Sequence, residues 1–188
     1  MAGSRDRPLS GRPRELPVLW DFVEQEAPDR GAYLLILRLK ESRKVTVGQL
    51  GALRLPGGYY VYVGSAMRNL SARLARHQRK RKKMRWHVDY LRAAADECLA
   101  LPIPSSRRLE CDLAAALSRM MEPGPPGFGS SDCACPTHLF HAPAHPLHSP
   151  AFHAFLESFR APPQLPLILH RQAERKGQKT IAPPEALC

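Results

Sequence analysis

Hydrophobic residues follow two periods along this chain, first that of strands and then that of helices. Gly31 to Leu39 reads Gly-Ala-Tyr-Leu-Leu-Ile-Leu-Arg-Leu, apolar through most of its length as a strand covered on both faces would be. Lys40 to Lys44 is a charged turn, Lys44 to Val47 a second short strand, and Gly48 to Gly51 another turn. Leu53-Arg54-Leu55 leads through Pro56, Gly57 and Gly58 into the aromatic and β-branched run Tyr59 to Val63, which ends at Gly64 and Ser65; such a run favours a strand. Beyond that glycine the period changes. Leu70, Leu74 and His77 recur at helical spacing while Arg73, Arg76 and Lys80 point to another side, so Met67 to Trp86 is expected to be a helical, basic segment. Short strands with tight connections predict a small, mainly antiparallel sheet flanked by helices, an α/β (α+β) fold.

The second half continues in the same way. Trp86, Val88, Tyr90 and Leu91 read as core anchors of a further helix, and Asp96 to Leu101 as a strand ended by Pro102 and Pro104. Ser105 and Ser106 are expected to cap a helix from Arg107 to Met121, with Leu109, Leu113, Ala116 and Leu117 as its buried stripe. That spacing leaves Glu110 off the stripe, facing a cleft. Glu122 to Phe128 is a Pro/Gly-rich loop, and Phe152, Phe155, Leu156 and Phe159 predict a short helix from Ala151 to Arg160. The domain organisation expected is a basic, Pro-rich leader over 1–28, a folded domain over 29–142, and a C-terminal extension over 143–188. The extension carries the short helix and a mostly disordered tail, with Leu165 to Leu169 a possible exception.

Charge changes the picture more than length does. The 188 residues contain 28 Lys and Arg against 17 Asp and Glu, a net charge of +11, which points to a polyanionic partner. The longest basic run, Arg76 to Arg85, offers Arg76, Arg79, Lys80, Arg81, Lys82, Lys83 and Arg85 with no acid until Asp89. Its functional reading is a phosphate-tracking patch giving salt-dependent affinity for nucleic acid; its bland one is a solvated charged face. No apolar run approaches the roughly 20 residues of a membrane helix, and the N-terminus lacks a secretory apolar segment. An intracellular protein with no membrane partner is therefore expected. Five cysteines then read as reduced thiols or metal ligands. Cys133-Ala134-Cys135 with His138, and His141 nearby, suggests zinc, but the spacing is tighter than the usual Cys-x₂₋₄-Cys. The fourth ligand is missing unless the fold brings Cys111 close, so structural zinc is not expected. Cys133 reads as a packing residue and His138 as a packing or substrate-contacting one.

Gly31-Ala32-Tyr33 on one strand and Tyr62-Val63-Gly64 on another resemble the paired signatures of the GIY-YIG nuclease superfamily. Asn69 to His77 is similar to its next motif, a helix bearing an arginine and often a histidine, and Arg108 to Leu113 to the helix that supplies its metal-binding glutamate. Trp86 to Leu91, Gly127 to Cys133 and the long gap between the tyrosine motifs resemble the compact DUF123 branch, over about Gly31 to Phe140. The resemblance implies a DNA endonuclease or a structure-selective nuclease that depends on Mg²⁺ or Mn²⁺. Within it Tyr33 and Tyr62 position water and phosphate, Arg73 stabilises charge and Glu110 holds the metal, with His77 a lesser candidate for proton transfer. The chemistry agrees with these residue types: one carboxylate can hold a hydrated divalent ion, and a guanidinium fork suits phosphate oxygens. Two departures stand out: Ala32 replaces the commonest isoleucine, and no asparagine follows Asn69. The second keeps open the alternative of a non-catalytic nucleic-acid-binding module on the same fold.

Overall fold

The computed structural model describes residues 29–159; the expectations for the leader 1–28 and for 160–188, Leu165 to Leu169 included, fall outside these. The fold is mixed α and β. Its centre is β1 (Gly31–Leu39), hydrogen-bonded antiparallel to β4 (Gly58–Ala66) on one side and to β5 (Glu97–Pro104) on the other. With β6 (Glu122–Pro123) and β7 (Leu139–Ala142), these strands form a five-stranded antiparallel sheet of order β5-β1-β4-β7-β6. The strands β2 (Arg43–Val47) and β3 (Gly51–Leu55) pair as a separate two-stranded sheet.

The unbroken apolar run of β1 is explained by this central place, because alternate side chains feed two separate cores. Tyr33, Leu35, Leu37 and Leu39 join Tyr60, Tyr62, Leu70, Val88 and Leu91 on one face. There the sheet meets α1 (Leu70–Gln78), α2 (His87–Ala94) and the two-stranded sheet. Ala32, Leu34, Ile36, Val61 and Val63 point the other way, onto α3 (Glu110–Leu117) and α4 (Pro150–Phe159). Phe152 and Phe155 of α4 are buried in that second core, so the packed unit reaches to Phe159. No helix among the described residues is long and apolar enough to cross a membrane.

Three expected boundaries shift. The basic segment Met67 to Trp86 is helical only from Leu70 to Gln78, and the chain from Arg79 to Trp86 has no regular structure. The helix stops because Lys82 turns back and donates its ammonium to the carbonyls of Arg76 and His77, both at 3.1 Å, satisfying the open C-terminal acceptors. Strand β5 runs on through Pro102 to Pro104 instead of ending at the first proline. It is an edge strand, where a missing N–H costs nothing if it faces outward. The third helix begins at Glu110, not Arg107, and ends at Leu117, not Met121; Ser105 instead accepts from the N–H of Arg107 in the preceding turn.

Candidate active site

The expected site residues converge on the C-terminal end of β4 from both faces of the sheet. Tyr33 and Gly64 are register partners, and the tyrosine ring lies across the glycine: a Cβ there would sit 2.4 Å from both the ring and its hydroxyl. Tyr62, two residues before on the same face of β4, places its ring centroid 6.5 Å from that of Tyr33. Against Tyr62 packs Gly129, whose φ of +77° belongs to the left-handed region and whose Cβ would come within 2.6 Å of the ring. Glycine is thus required twice, once on each side of the tyrosine pair.

Helix α1 supplies the next shell. Its N-terminus is capped from a distance, the Asp29 carboxylate accepting from the N–H and hydroxyl of Ser71 at 2.7 and 3.0 Å. An acid there also meets the positive end of the helix dipole. One turn on, Arg73 is half-buried, its guanidinium 4.6 Å from the centre of the Trp86 ring, a cation–π stack. Arg73 has no carboxylate partner among the described residues. His77 is fully buried, with Nε2 2.9 Å from the Tyr33 hydroxyl and Nδ1 3.6 Å from Asp89 Oδ1. Burial pushes its pKa down, a trend the Asp89 carboxylate only partly opposes, so the ring is neutral with one donor and one acceptor nitrogen. A proton on Nδ1, facing the carboxylate, leaves Nε2 to accept from Tyr33. That Nδ1 is buried without a hydrogen bond of good geometry, 3.6 Å from the carboxylate. In the row Tyr33, His77, Asp89 only the first link is therefore a hydrogen bond, and Asp89 acts on the ring through its charge.

Asp89 is the residue sequence reasoning left without a role. Its side chain is fully buried, yet it accepts two hydrogen bonds from Arg76 at 3.0 Å, approaches the Lys82 ammonium at 3.1 Å and takes the backbone N–H of Arg85 and Trp86. Burial alone would raise its pKa, but His77, Arg76, Arg85 and Lys82 reverse that and hold the carboxyl well below the usual carboxylate range. A carboxylate shared by so many donors is the hub of the α1–α2 connection. The available signal was Asp89 as the first acid after ten residues rich in base.

The basic run consequently divides. Arg76 and Lys82 are committed inward to Asp89, with side chains 16 % and 5 % exposed. Arg79, Lys80, Arg81, Lys83 and Arg85 are exposed.

Glu110 arrives from the opposite face in the first turn of α3, where the helix dipole favours its charge. Its Oε2 accepts from the Ser65 hydroxyl at 2.5 Å and its Oε1 lies 3.3 Å from His138 Nδ1. Burial works to raise its pKa, and the His138 and Ser65 contacts with the Arg108 charge outweigh it, so the carboxyl is held low and ionised. Ser65 and His138, which carried no firm role in the sequence, are thus what fixes the glutamate. Both tyrosine hydroxyls are raised by burial. Beside Tyr33 the Arg73 charge opposes that rise and Glu110 adds to it. Neither phenol ionises near neutral pH. Tyr33 and Tyr62 are 2 % and 5 % exposed, whereas the Glu110 side chain is 25 % exposed. A 290 Å³ cavity lined by Met120, His141, His145 and Phe152 lies toward the other end of β4, since His141 pairs with Tyr60.

A helix-flanked antiparallel sheet with two tyrosines, an arginine, a neutral histidine and an ionised glutamate at one strand end defines a small α+β domain with a polar site at its surface. The chain belongs to the family described as "Domain of unknown function DUF123", which it matches over residues 32–161. No curated protein and no solved structure matches it.

Proposed function

We propose that this protein is a metal-dependent endonuclease of the GIY-YIG type, hydrolysing phosphodiester bonds in DNA. The observation that carries this reading is the meeting of Tyr33, Tyr62, Arg73, His77 and Glu110 around the end of β4, from the four elements β1, β4, α1 and α3. An ionised Glu110 with lone pairs beyond those given to Ser65 and His138 fits one hydrated divalent ion, Mg²⁺ or Mn²⁺. When bound, that ion would neutralise phosphate charge and lower the pKa of a water. Arg73, stiffened by its indole backing and without a carboxylate partner among the described residues, would hold phosphate oxygens through its planar fork.

The raised phenol pKa values change the part Tyr33 plays. A neutral hydroxyl is a poor base, but one that donates to His77 can take a proton from water on its oxygen while passing its own proton to Nε2. The imidazolium so formed faces Asp89, which would stabilise it. Asp89 is then a positioning residue for the relay. Tyr62, whose hydroxyl makes no hydrogen bond among the described residues, is free to orient the water or the phosphate. A nucleic-acid-binding module without efficient chemistry is the second reading, favoured by the engagement of both Glu110 oxygens and by the absence of an asparagine after Asn69.

The test is cleavage of labelled duplex, branched and single-stranded DNA with Mg²⁺ or Mn²⁺. Glu110→Ala and Arg73→Ala are each expected to reduce cutting by roughly 10²–10³-fold or more, while Glu110→Ala still binds. Binding without cutting by the wild type on every substrate would favour the second reading. Cutting that survives both substitutions would overturn the assignment of the site.

A further inference from the structure

Beside Glu110 lies a second cluster that the proposed reaction does not use. Cys111 follows Glu110 in the first turn of α3, Cys133 and Cys135 sit on the loop before β7, and His138 stands just ahead of that strand. One ligand atom from each of the four lies within 4.8 Å of every other. His138 Nε2 is 3.4 Å from Cys133 Sγ. The four come from two stretches more than twenty residues apart, so the fold alone gathers them. All three cysteines are free thiols.

We propose that Cys111, Cys133, Cys135 and His138 bind one zinc ion in a Cys₃His site that ties helix α3 to the loop before β7. Zinc takes four ligands tetrahedrally, with Zn–S of about 2.3 Å and Zn–N of about 2.0–2.1 Å. Those lengths place sulfur about 3.8 Å from sulfur and about 3.5 Å from nitrogen. The observed spacings need only a small inward adjustment. Three thiols and one imidazole leave no open position, which is the pattern of a structural centre; binding releases the thiol protons to solvent.

Two further observations point to a metal here. The Nδ1 of His138 is buried and makes no hydrogen bond of good geometry, yet it stands 3.3 Å from Glu110 Oε1. A histidine that ligates through Nε2 and offers its Nδ1–H to a carboxylate is the usual outer arrangement of a zinc-bound imidazole. The loop is anchored on the sheet side, by Phe128 in the core, by the Gly129 N–H on His87 Nδ1, by the buried Thr137 hydroxyl and by the Val63 N–H on the His138 carbonyl, and none of these bonds reaches α3. Yet it must keep Gly129 pressed on Tyr62. A metal joining it to α3 would fix Glu110 and the cover of Tyr62 together. The tight Cys-x-Cys spacing counted against zinc in the sequence; Cys111 is the ligand that was missing.

The inference stands apart from any nuclease activity, because its readout is metal content. Full-length protein, purified reduced and reconstituted with zinc, is expected to retain one zinc per chain after desalting, measured by elemental analysis. Cys111→Ser, Cys133→Ser and Cys135→Ser are each expected to lose it, and Cys98→Ser, outside the cluster, to keep it. Should the variants fail to fold, Co²⁺ exchanged into the wild-type chain keeps the test open. Thiolate charge-transfer and tetrahedral d–d bands would support the site, and an octahedral, aqueous-like spectrum would overturn it. A reduced wild-type chain that retains no metal, or a disulfide between two of these cysteines with no metal in the reduced form, overturns it as well.

Discussion

At the scale of single residues, the site rests on what is absent from Gly64. The Tyr33 ring occupies the space a side chain would take, and neighbours on a paired strand cannot move aside independently. Gly64→Ala should therefore cost about 1–3 kcal/mol as an overpacking change, read as a lower denaturation midpoint at unchanged m. It should also loosen the Tyr33–His77 bond, visible as altered tyrosine fluorescence. An unchanged midpoint would mean the ring is not held against this strand. Both tyrosine motifs were legible in the sequence because strand period and turn glycines are local signals. The pressure of Gly129 on Tyr62 was not, since it joins residues 67 positions apart in sequence.

At the scale of elements, the connection from α1 to α2 is organised by one buried carboxylate. Removing one partner from a buried ion-pair network costs about 3–5 kcal/mol, and Asp89→Asn is expected to fall in that range. The pH dependence follows from the direction of the shift. The folded Asp89 carboxyl is depressed below its ordinary value. Its contribution is therefore present in full above the unfolded carboxyl pKa of about 4 and drains as the pH falls toward the lower folded value. His77, held neutral by burial, pulls in the same direction earlier: stability declines as the pH drops below about 6.5, where an unfolded histidine would charge. Chemical denaturation from pH 7 to 3 should thus show a wild-type slope that Asp89→Asn flattens below pH 4 and leaves steep above it. Equal slopes in both proteins below pH 4 would count against the hub. The sequence expectation of one long basic helix failed here for a physical reason. Periodicity registers which side a residue is on, but not that Lys82 can fold back to cap the helix or that Asp89 can draw two cations inward.

At the scale of the whole molecule, a net charge of +11 is a long-range attraction for polyanions, but its members are not equivalent. Arg79, Lys80 and Arg81 are exposed, and replacing all three with Gln should lower the slope of log K against log salt for DNA by up to about 3. Stability should be nearly unchanged. Arg76→Gln or Lys82→Gln should do the opposite, lowering stability with little effect on the slope, because both are committed to Asp89. Binding isotherms over a range of salt and a denaturation curve for each variant separate the two groups. A triple variant that binds with the wild-type slope would remove this patch from the interface.

The sequence by itself determined the class of fold, the central strands and the polarity of the chain. Each is written in local information: alternation, turn glycines, helical stripes and the count of charges. The tyrosines, Arg73, His77 and Glu110 were named as site residues by the resemblance of their motifs to the GIY-YIG signatures. Tertiary structure alone decided which cations face solvent, that Asp89 carries the α1–α2 turn, that Ser65 and His138 hold Glu110, and that Cys111 meets Cys133, Cys135 and His138. Those are contacts across two faces of a sheet and between distant segments, where packing sets the distance and sequence separation carries no information about it.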